Sequence, residues 1–175
     1  DKQGYLIRLN IEDSKLGRVE LRDFEKLKTL KLKRCSIVEL NLADLPELAE
    51  LWLSGNRDLR KVDLSDIKTL TTLALTNCGI IDLRLSKLPD TITELSLSGN
   101  RHLERVDLRE LRNLAKLHLG RCGIKDLMSS RLPQSLSKLS LYGNTKLRKV
   151  DLSAFTNLSK LNLFCCGIRD LKALK

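Results

Sequence analysis

One short pattern of apolar residues recurs along the chain and constrains its fold more than any other feature. Residues 114–124 read L-A-K-L-H-L-G-R-C-G-I, and seven further copies keep this apolar spacing. The copies begin at Leu6, Leu27, Leu48, Leu70, Ile92, Leu114, Leu136 and Leu158, in steps of 21 or 22 residues. A unit this short cannot bury its apolar face alone, so successive copies are expected to stack on one another around a shared core.

Each copy contains a segment in which apolar and polar residues alternate. Leu117 and Leu119 alternate with Lys116, His118 and Gly120, as in a strand with one buried and one open face. The pattern predicts one solenoid domain over residues 1–175, with a parallel sheet of about eight strands. The return segments have only about ten residues, and alternate copies contain Leu-Pro, which favours extended backbone before the proline. We expect short helical turns and extended segments there, with Ser65 as a helix-capping residue.

In copies two to eight, the residue at the turn after the strand alternates strictly between cysteine and asparagine. It is expected to point inward, where an asparagine amide can satisfy backbone groups of adjacent turns and a cysteine fills the space. Cysteines two copies apart would lie about 10 Å from each other, too far for a disulfide or a shared metal ion. Free thiols predict a reducing, intracellular compartment. We call these residues the ladder: Cys35, Asn56, Cys78, Asn100, Cys122, Asn144 and Cys166.

The spacing L-x-x-L-x-L-x-x-C-x-I of residues 114–124, with asparagine in place of cysteine in alternate copies, resembles that of leucine-rich repeat proteins over nearly the whole chain. The Asn/Cys alternation resembles the ribonuclease inhibitor family, whereas the short period resembles bacterial, internalin-like repeats. The stretch 88–100 also looks like the repeats of bacterial effectors that are delivered into host cells. The resemblance implies an α/β solenoid, a curved horseshoe with the parallel sheet on its concave face. It also implies that this face recognises proteins, as in an immune receptor or a pathogen effector.

The open positions of the strands carry three of the six aromatic residues, together with several cations. Exposed aromatic residues beside cations are typical of protein interfaces, so a protein partner is our first hypothesis. The candidate contact residues are Lys31, Lys33, Trp52, Lys116, His118, Arg121, Lys138, Tyr142, Lys160 and Phe164. Two alternatives stay open. One is that the lysine columns bind nucleic acid or another polyanion, which the net charge of +10 permits. The other is that the chain is a structural or designed scaffold without a natural ligand.

An enzyme, a cofactor and a metal site are not expected. Ser96, His118 and Ser140 fall in one column of the open face, but no exposed carboxylate is placed to orient the histidine. The sequence has no glycine-rich phosphate loop, no metal-ligand spacing and no apolar run long enough to insert into a membrane. A column of acidic residues in the return segments is expected to serve turns: Glu20, Glu39, Asp63, Asp82, Asp107, Asp126, Asp151 and Asp170.

Overall fold

The computed structural model describes residues 4–84, 86–127 and 130–172, so both ends of the predicted domain, 1–3 and 173–175, lie outside the described residues. The regular structure consists of short strands. Their bounds are β1 Arg8–Glu12, β2 Arg18–Leu21, β3 Thr29–Lys33, β4 Glu39–Leu42, β5 Glu50–Trp52, β6 Thr72–Ala74, β7 Glu94–Ser96, β8 Lys116–His118, β9 Lys138–Ser140, β10 Lys149–Asp151, β11 Lys160–Asn162 and β12 Asp170–Lys172.

The predicted solenoid with a parallel sheet is confirmed. Eight strands, one from each copy, form a sheet in the order β1-β3-β5-β6-β7-β8-β9-β11, and every neighbouring pair is parallel. The register aligns equivalent positions, so Leu51 lies between Leu30 and Leu73. This alignment stacks the template leucines into continuous rows, and the core is therefore shared by all copies.

The core is a column of leucines closed off by the return segments. Leu51, Leu73, Leu95 and Leu117 are fully buried, while the outward neighbours in strands such as β5 and β8 stay partly exposed. Burial of a leucine side chain is worth about 1.5–3 kcal/mol. Because each row continues from one copy to the next, most of this stabilisation exists only between neighbouring copies.

The short helical turns expected on the return side are wrong: the described residues contain no helix. Return segments of neighbouring copies instead pair in parallel, as β2 with β4 and β10 with β12, and through the bridge Asp63–Lys87. A single helical turn fixes many dihedral angles for one hydrogen bond, so it cannot compete with pairing between copies. Ser65 is not a helix cap but donates from its backbone N and its Oγ to Asp63 Oδ1, at 3.2 and 2.8 Å.

The ladder asparagines satisfy backbone groups in the interior, four each at Asn56 and Asn100 and three at Asn144. Asn100, 1 % exposed, accepts at Oδ1 from the amides of Cys78 and Ile80, both at 3.0 Å. Its Nδ2 donates to the carbonyls of Leu75 and Leu97, at 2.9 and 2.6 Å. Asn56 repeats all four bonds one double unit earlier. The amide thus joins its own copy to the preceding one.

The ladder cysteines continue the same column with one weaker donor. Cys78 Sγ donates to the Leu53 carbonyl at 3.1 Å, and Cys122 Sγ donates to the Leu97 carbonyl at 3.3 Å. Leu97 O therefore receives both the Asn100 amide and the Cys122 thiol. A thiol is a weaker hydrogen-bonding group than an amide, and the backbone amides of the Cys78 turn bond to Asn100 of the next copy.

Steric contacts around the turn explain why the true period is two copies. The residue before the ladder position has a positive φ in all eight copies, which disfavours residues other than glycine. In copies whose ladder residue is asparagine it is glycine, as at Gly55 and Gly143. A Cβ there would lie 2.7 Å from Arg34 Cγ and 2.9 Å from Arg121 Cγ, side chains of the preceding copy. A side chain in one copy therefore requires glycine in the next.

A second glycine follows the ladder cysteine in three of the four cysteine copies. At Gly79, where φ is +69°, a Cβ would overlap the carbonyl oxygen of Arg57 in the preceding copy. This neighbour is backbone, which cannot rotate away. Only glycine at position 79 therefore allows the backbones of these two neighbouring copies to approach so closely.

We predict that Asn100→Ala destabilises the chain by about 3 kcal/mol or more, because it strands two buried amides that each need a partner. Cys122→Ala removes only a weak donor and a small volume, so the expected loss is about 1 kcal/mol. Urea unfolding of both variants measures the difference. Equal losses, or a larger loss for Cys122→Ala, would contradict the role of the amide.

We also predict that Gly79→Ala lowers the free energy of unfolding by several kcal/mol. Gly17→Ala is a matched control, because Gly17 has nearly the same φ, +66°, but open space around its Cβ position. The control measures only the cost of placing alanine in the left-handed backbone conformation, which is about 1–2 kcal/mol. Similar losses in the two variants would show that the Arg57 carbonyl does not restrict this position.

Candidate functional site

The open face of the eight-stranded sheet brings together the candidate contact residues. The in-register pairing places equivalent side chains of neighbouring copies side by side, so Lys31 pairs with Trp52 and His118 pairs with Ser140. We define the open face by three columns of residues. The columns are 8, 29, 50, 72, 94, 116, 138 and 160; 10, 31, 52, 74, 96, 118, 140 and 162; and 12, 33, 54, 76, 98, 120, 142 and 164.

Trp52 forms a cation–aromatic cluster at one end of the open face. Lys31 Nζ and Lys33 Nζ lie 5.3 and 5.6 Å from the centroid of its ring, and its Nε1 donates to Glu50 Oε2 at 3.4 Å. Lys33 also faces Glu12 at 3.6 Å. The carboxylates offset much of the positive charge, so this end presents a half-exposed indole held between lysine side chains.

Tyr142 forms a second cluster near the other end. The Arg121 guanidinium lies 5.7 Å from its ring centroid, and the ring occupies the space above Gly120, where any Cβ would overlap it. Beside it is a shallow depression of about 360 Å³, lined by polar and basic residues that include His118, Lys138 and Lys160. Phe164 lies one copy further on and is 74 % exposed.

The centre of the open face is small and electrically neutral. Lys116 Nζ is 2.8 Å from Glu94 Oε2 on the neighbouring strand. Ser96 Oγ shares a hydrogen bond of 2.9 Å with Thr76 Oγ1, and Ala74 is buried. The two aromatic clusters are therefore separated by a low, uncharged surface.

Pairing between carboxylates and cations makes the open face asymmetric. At the Trp52 end, Arg34 contacts Asp13 at 2.5 Å and Glu12 at 3.3 Å. The pKa of Asp13 is lowered, chiefly by its hydrogen bond to Arg34. Within the described ranges, neither Lys138 nor Lys160 has a carboxylate at salt-bridge distance. Lys138 and Lys160 therefore add uncompensated positive charge at the Tyr142 end, while Lys31, which has no such carboxylate among the described residues either, lies against the Trp52 ring.

Several of these details were outside the reach of the sequence. The sequence identified Lys33 as a candidate cation of the open face, whereas the structure pairs Lys33 and its neighbour Arg34 with acidic residues of the first copy. Gly120 carried no signal of its own, and its role in seating Tyr142 follows only from the register. The signal that could have found the Lys116–Glu94 pair is their equivalent position in adjacent copies.

Ser96, His118 and Ser140 are register neighbours, but the hydroxyl of Ser96 bonds to Thr76. In the described part of the chain, no three His, Cys, Asp or Glu residues are grouped in a way that could hold a metal ion. No helix among the same residues is long and apolar enough to cross a membrane.

The acidic column caps turns on the return side. Asp151 accepts from the backbone N of Ser153 at 2.8 Å and pairs with Lys172 at 3.0 Å. Hydrogen bonds to Ser153, with Lys172 nearby, lower the pKa of Asp151 to about 2. The pKa of Asp63 is also lowered to about 2, by hydrogen bonds to Lys87 and Ser65. Each of these two carboxylates is thus ionised. It accepts hydrogen bonds from the serine of its own turn and pairs with a lysine of the next copy.

A scan against models of known protein families gave no match, and a search of curated proteins found none similar to the chain.

Burial makes the ladder thiols Cys78 and Cys122 poor nucleophiles, because it disfavours the reactive thiolate form. Burial raises the pKa of the Cys78 and Cys122 thiols to about 12, and it also raises that of half-buried Cys166. Cys165 differs because it is exposed, at a left-handed turn with φ +54°. Reactivity follows the thiolate and its access, so the native chain should present one fast thiol.

We predict that thiol titration of the native chain at about pH 8 gives one fast-reacting cysteine, Cys165, with the buried ladder thiols reacting only after unfolding. In denaturant without reductant, all five cysteines should react. A Cys165→Ser variant should lose the fast phase. A protected pair in denaturant, or a fast phase that survives this substitution, would contradict the assignment.

Proposed function

We propose that this chain is a non-enzymatic recognition domain that binds a protein partner through the open face of its sheet. The observation that carries the proposal is the pair of aromatic clusters around Trp52 and Tyr142, which lie on a rigid sheet. Aromatic residues in such settings lose little conformational entropy on binding and dominate interface energetics. Neither ring is needed to close the core.

The charge distribution favours a protein over a polyanion at this face. A groove for nucleic acid should be continuously positive, whereas here Lys116 is neutralised by Glu94 and Lys33 lies beside Glu12. The intervening surface is neutral and low. Protein interfaces commonly combine an aromatic anchor with a polar, partly charged rim.

We further propose that the chain belongs to the leucine-rich repeat class, with the sheet on the concave side of a curved solenoid. The template, the parallel sheet and the inward Asn/Cys ladder support this. The strand pairing on the return side sets it apart from members with helices on the convex side. The unpaired thiols support a reducing, intracellular setting, where the domain would serve as the ligand-sensing part of an immune receptor or a pathogen effector.

One observation favours the alternative of a polyanion on the open face: Lys138 and Lys160 are register neighbours beside the Tyr142 ring. Such a cluster could neutralise a phosphate and stack a base. Salt dependence separates the two readings, because counterion release makes polyanion affinity fall steeply with salt. A scaffold without a natural ligand would show neither behaviour.

We predict that Trp52→Ala and Tyr142→Ala each weaken partner binding by about 1–3 kcal/mol, since each removes an aromatic anchor. Immobilised wild-type and variant chains would be compared by quantitative capture from cell extract. The purified partner would then be titrated against each chain by calorimetry.

The controls are Arg84→Ala and Lys87→Ala on the return side, whose side chains pair with Asp82 and Asp63. Both controls should bind the partner like the wild type. The proposal fails if they weaken binding as much as the aromatic substitutions. It also fails if all binding is lost to competing heparin and falls steeply with salt.

A further inference from the structure

A second surface, away from the open face, carries most of the excess positive charge. It lies on the side of the solenoid between the ladder residues and the acidic column. From residue 57 onward these segments hold ten exposed cations against two carboxylates, Asp58 and Glu104. We call this surface the basic flank, and its cations are Arg57, Arg60, Lys61, Arg101, Arg105, Lys125, Lys146, Arg148, Lys149 and Arg169.

Cations of different copies are brought together on the basic flank. Arg57 and Arg101, two copies apart, both line a notch of about 440 Å³ whose lining includes Gly79. Further along, the backbone N of Arg148 bonds to Lys125 O at 3.4 Å, and the N of Arg169 bonds to Arg148 O at 2.8 Å. The last three copies thus place Lys125, Arg148 and Arg169 next to one another, whereas segment 79–81 between Arg57 and Arg101 carries no cation.

The surroundings of Glu104 show that cations of neighbouring copies cluster on the flank. Its pKa is lowered, first by a hydrogen bond to Lys125 and that residue's charge, and then by the charges of Lys146 and Arg105. Three cations from three copies therefore surround a single carboxylate. Its one negative charge leaves the cluster strongly positive.

Most cations of the flank have no carboxylate partner among the described residues. Of the ten, Lys125 alone has a carboxylate at salt-bridge distance among the described residues, Glu104 at 2.7 Å. Several cations elsewhere are paired, as Lys116 is with Glu94 and Lys87 with Asp63, although Lys138 and Lys160 on the open face are not. The field of the unpaired charges is thus directed into solvent, where it favours an anionic ligand.

The dimensions and composition of the flank indicate which polyanion fits. From Arg57 to Arg169 it spans five strand spacings, on the order of 24 Å. Duplex DNA carries one charge per about 1.7 Å of axis, so roughly 14 phosphates lie along that length. No tryptophan, tyrosine or phenylalanine belongs to the flank, so a single strand would find only the imidazole of His102 on which to stack a base.

The acidic column limits the width of the flank. Asp63, Asp107 and Asp151 each follow a flank cation by two residues, with an inward-facing valine between. A flat anionic membrane lying on the flank would also meet these carboxylates. A narrow, rod-shaped polyanion that runs along the solenoid axis would not.

We infer that the basic flank is a second binding surface, separate from the open face, for the phosphate backbone of a double-stranded nucleic acid. Its contacts are side-chain cations on phosphates, so binding is independent of base sequence and strongly dependent on salt. The flank and the open face lie on different sides of the repeat. Both can therefore be occupied at once.

The test compares two triple variants with the same change in net charge. Arg101→Gln/Arg105→Gln/Lys149→Gln removes three cations from the flank, and Lys31→Gln/Lys138→Gln/Lys160→Gln removes three from the open face. Binding of a short fluorescein-labelled DNA duplex to the full chain is measured by anisotropy between about 50 and 200 mM salt. Thermal melts check that both variants fold.

The flank variant should weaken duplex binding by at least about tenfold, because each phosphate contact contributes about 0.9 to the slope of log K against log salt. That slope should flatten by about two to three, and the open-face variant should change binding less than about threefold. Equal effects of the two variants, or a larger effect of the open-face variant, would overturn the inference. So would single-stranded DNA that binds as tightly as the duplex, no duplex binding at all, or tighter binding to phosphatidylserine vesicles than to the duplex.

Discussion

The buried amide of each ladder asparagine is the interaction on which the solenoid depends. A short turn with no helix leaves backbone amides facing the interior, and each unsatisfied one would cost about 1–3 kcal/mol. Asn100 accepts two such amides from the preceding copy and donates to two carbonyls. No buried side-chain nitrogen or oxygen of the described residues lacks a hydrogen-bond partner. The asparagine therefore stabilises two copies at once, and the cysteine between them needs only to fill its space and donate weakly.

The architecture could be predicted from sequence because the apolar pattern that produces it recurs in every copy. Alternating residues within a strand and a fixed step between copies leave one arrangement that buries every template leucine, and the register of Leu51 with Leu30 and Leu73 is that arrangement. The return side was predicted less well, since short segments take whichever conformation their neighbours pair with. Proline in alternate copies indicated extended backbone, but nothing in one copy shows that Asp63 bridges to Lys87 of the next.

The candidate site was predictable as a set of residues but not as a charge distribution. The column positions of Trp52 and Tyr142 follow from strand alternation, and the structure places both on the open face. Which cations are compensated depends on pairs that form across copies, such as Lys116 with Glu94, and on the irregular first copy that brings Asp13 to Arg34. From the sequence, cations were considered only at the open positions of the strands. The basic flank, whose residues lie in the return segments, was therefore not identified.

The alternation of copies explains why positive charge collects on one flank. The stretch from Asn56 to Asp63 is longer than the stretch from Cys78 to Asp82, and the cysteine copy regains its length later, in its Leu-Pro segment. An asparagine copy therefore bulges outward between the ladder and the acidic column, and it exposes residues such as Arg57 and Lys61 there. The next copy recedes, with Gly79 beneath the Arg57 carbonyl. The result is ridges about 10 Å apart. A constraint set by packing at one turn thus gives the flank a regular spacing of cations, independent of the open face.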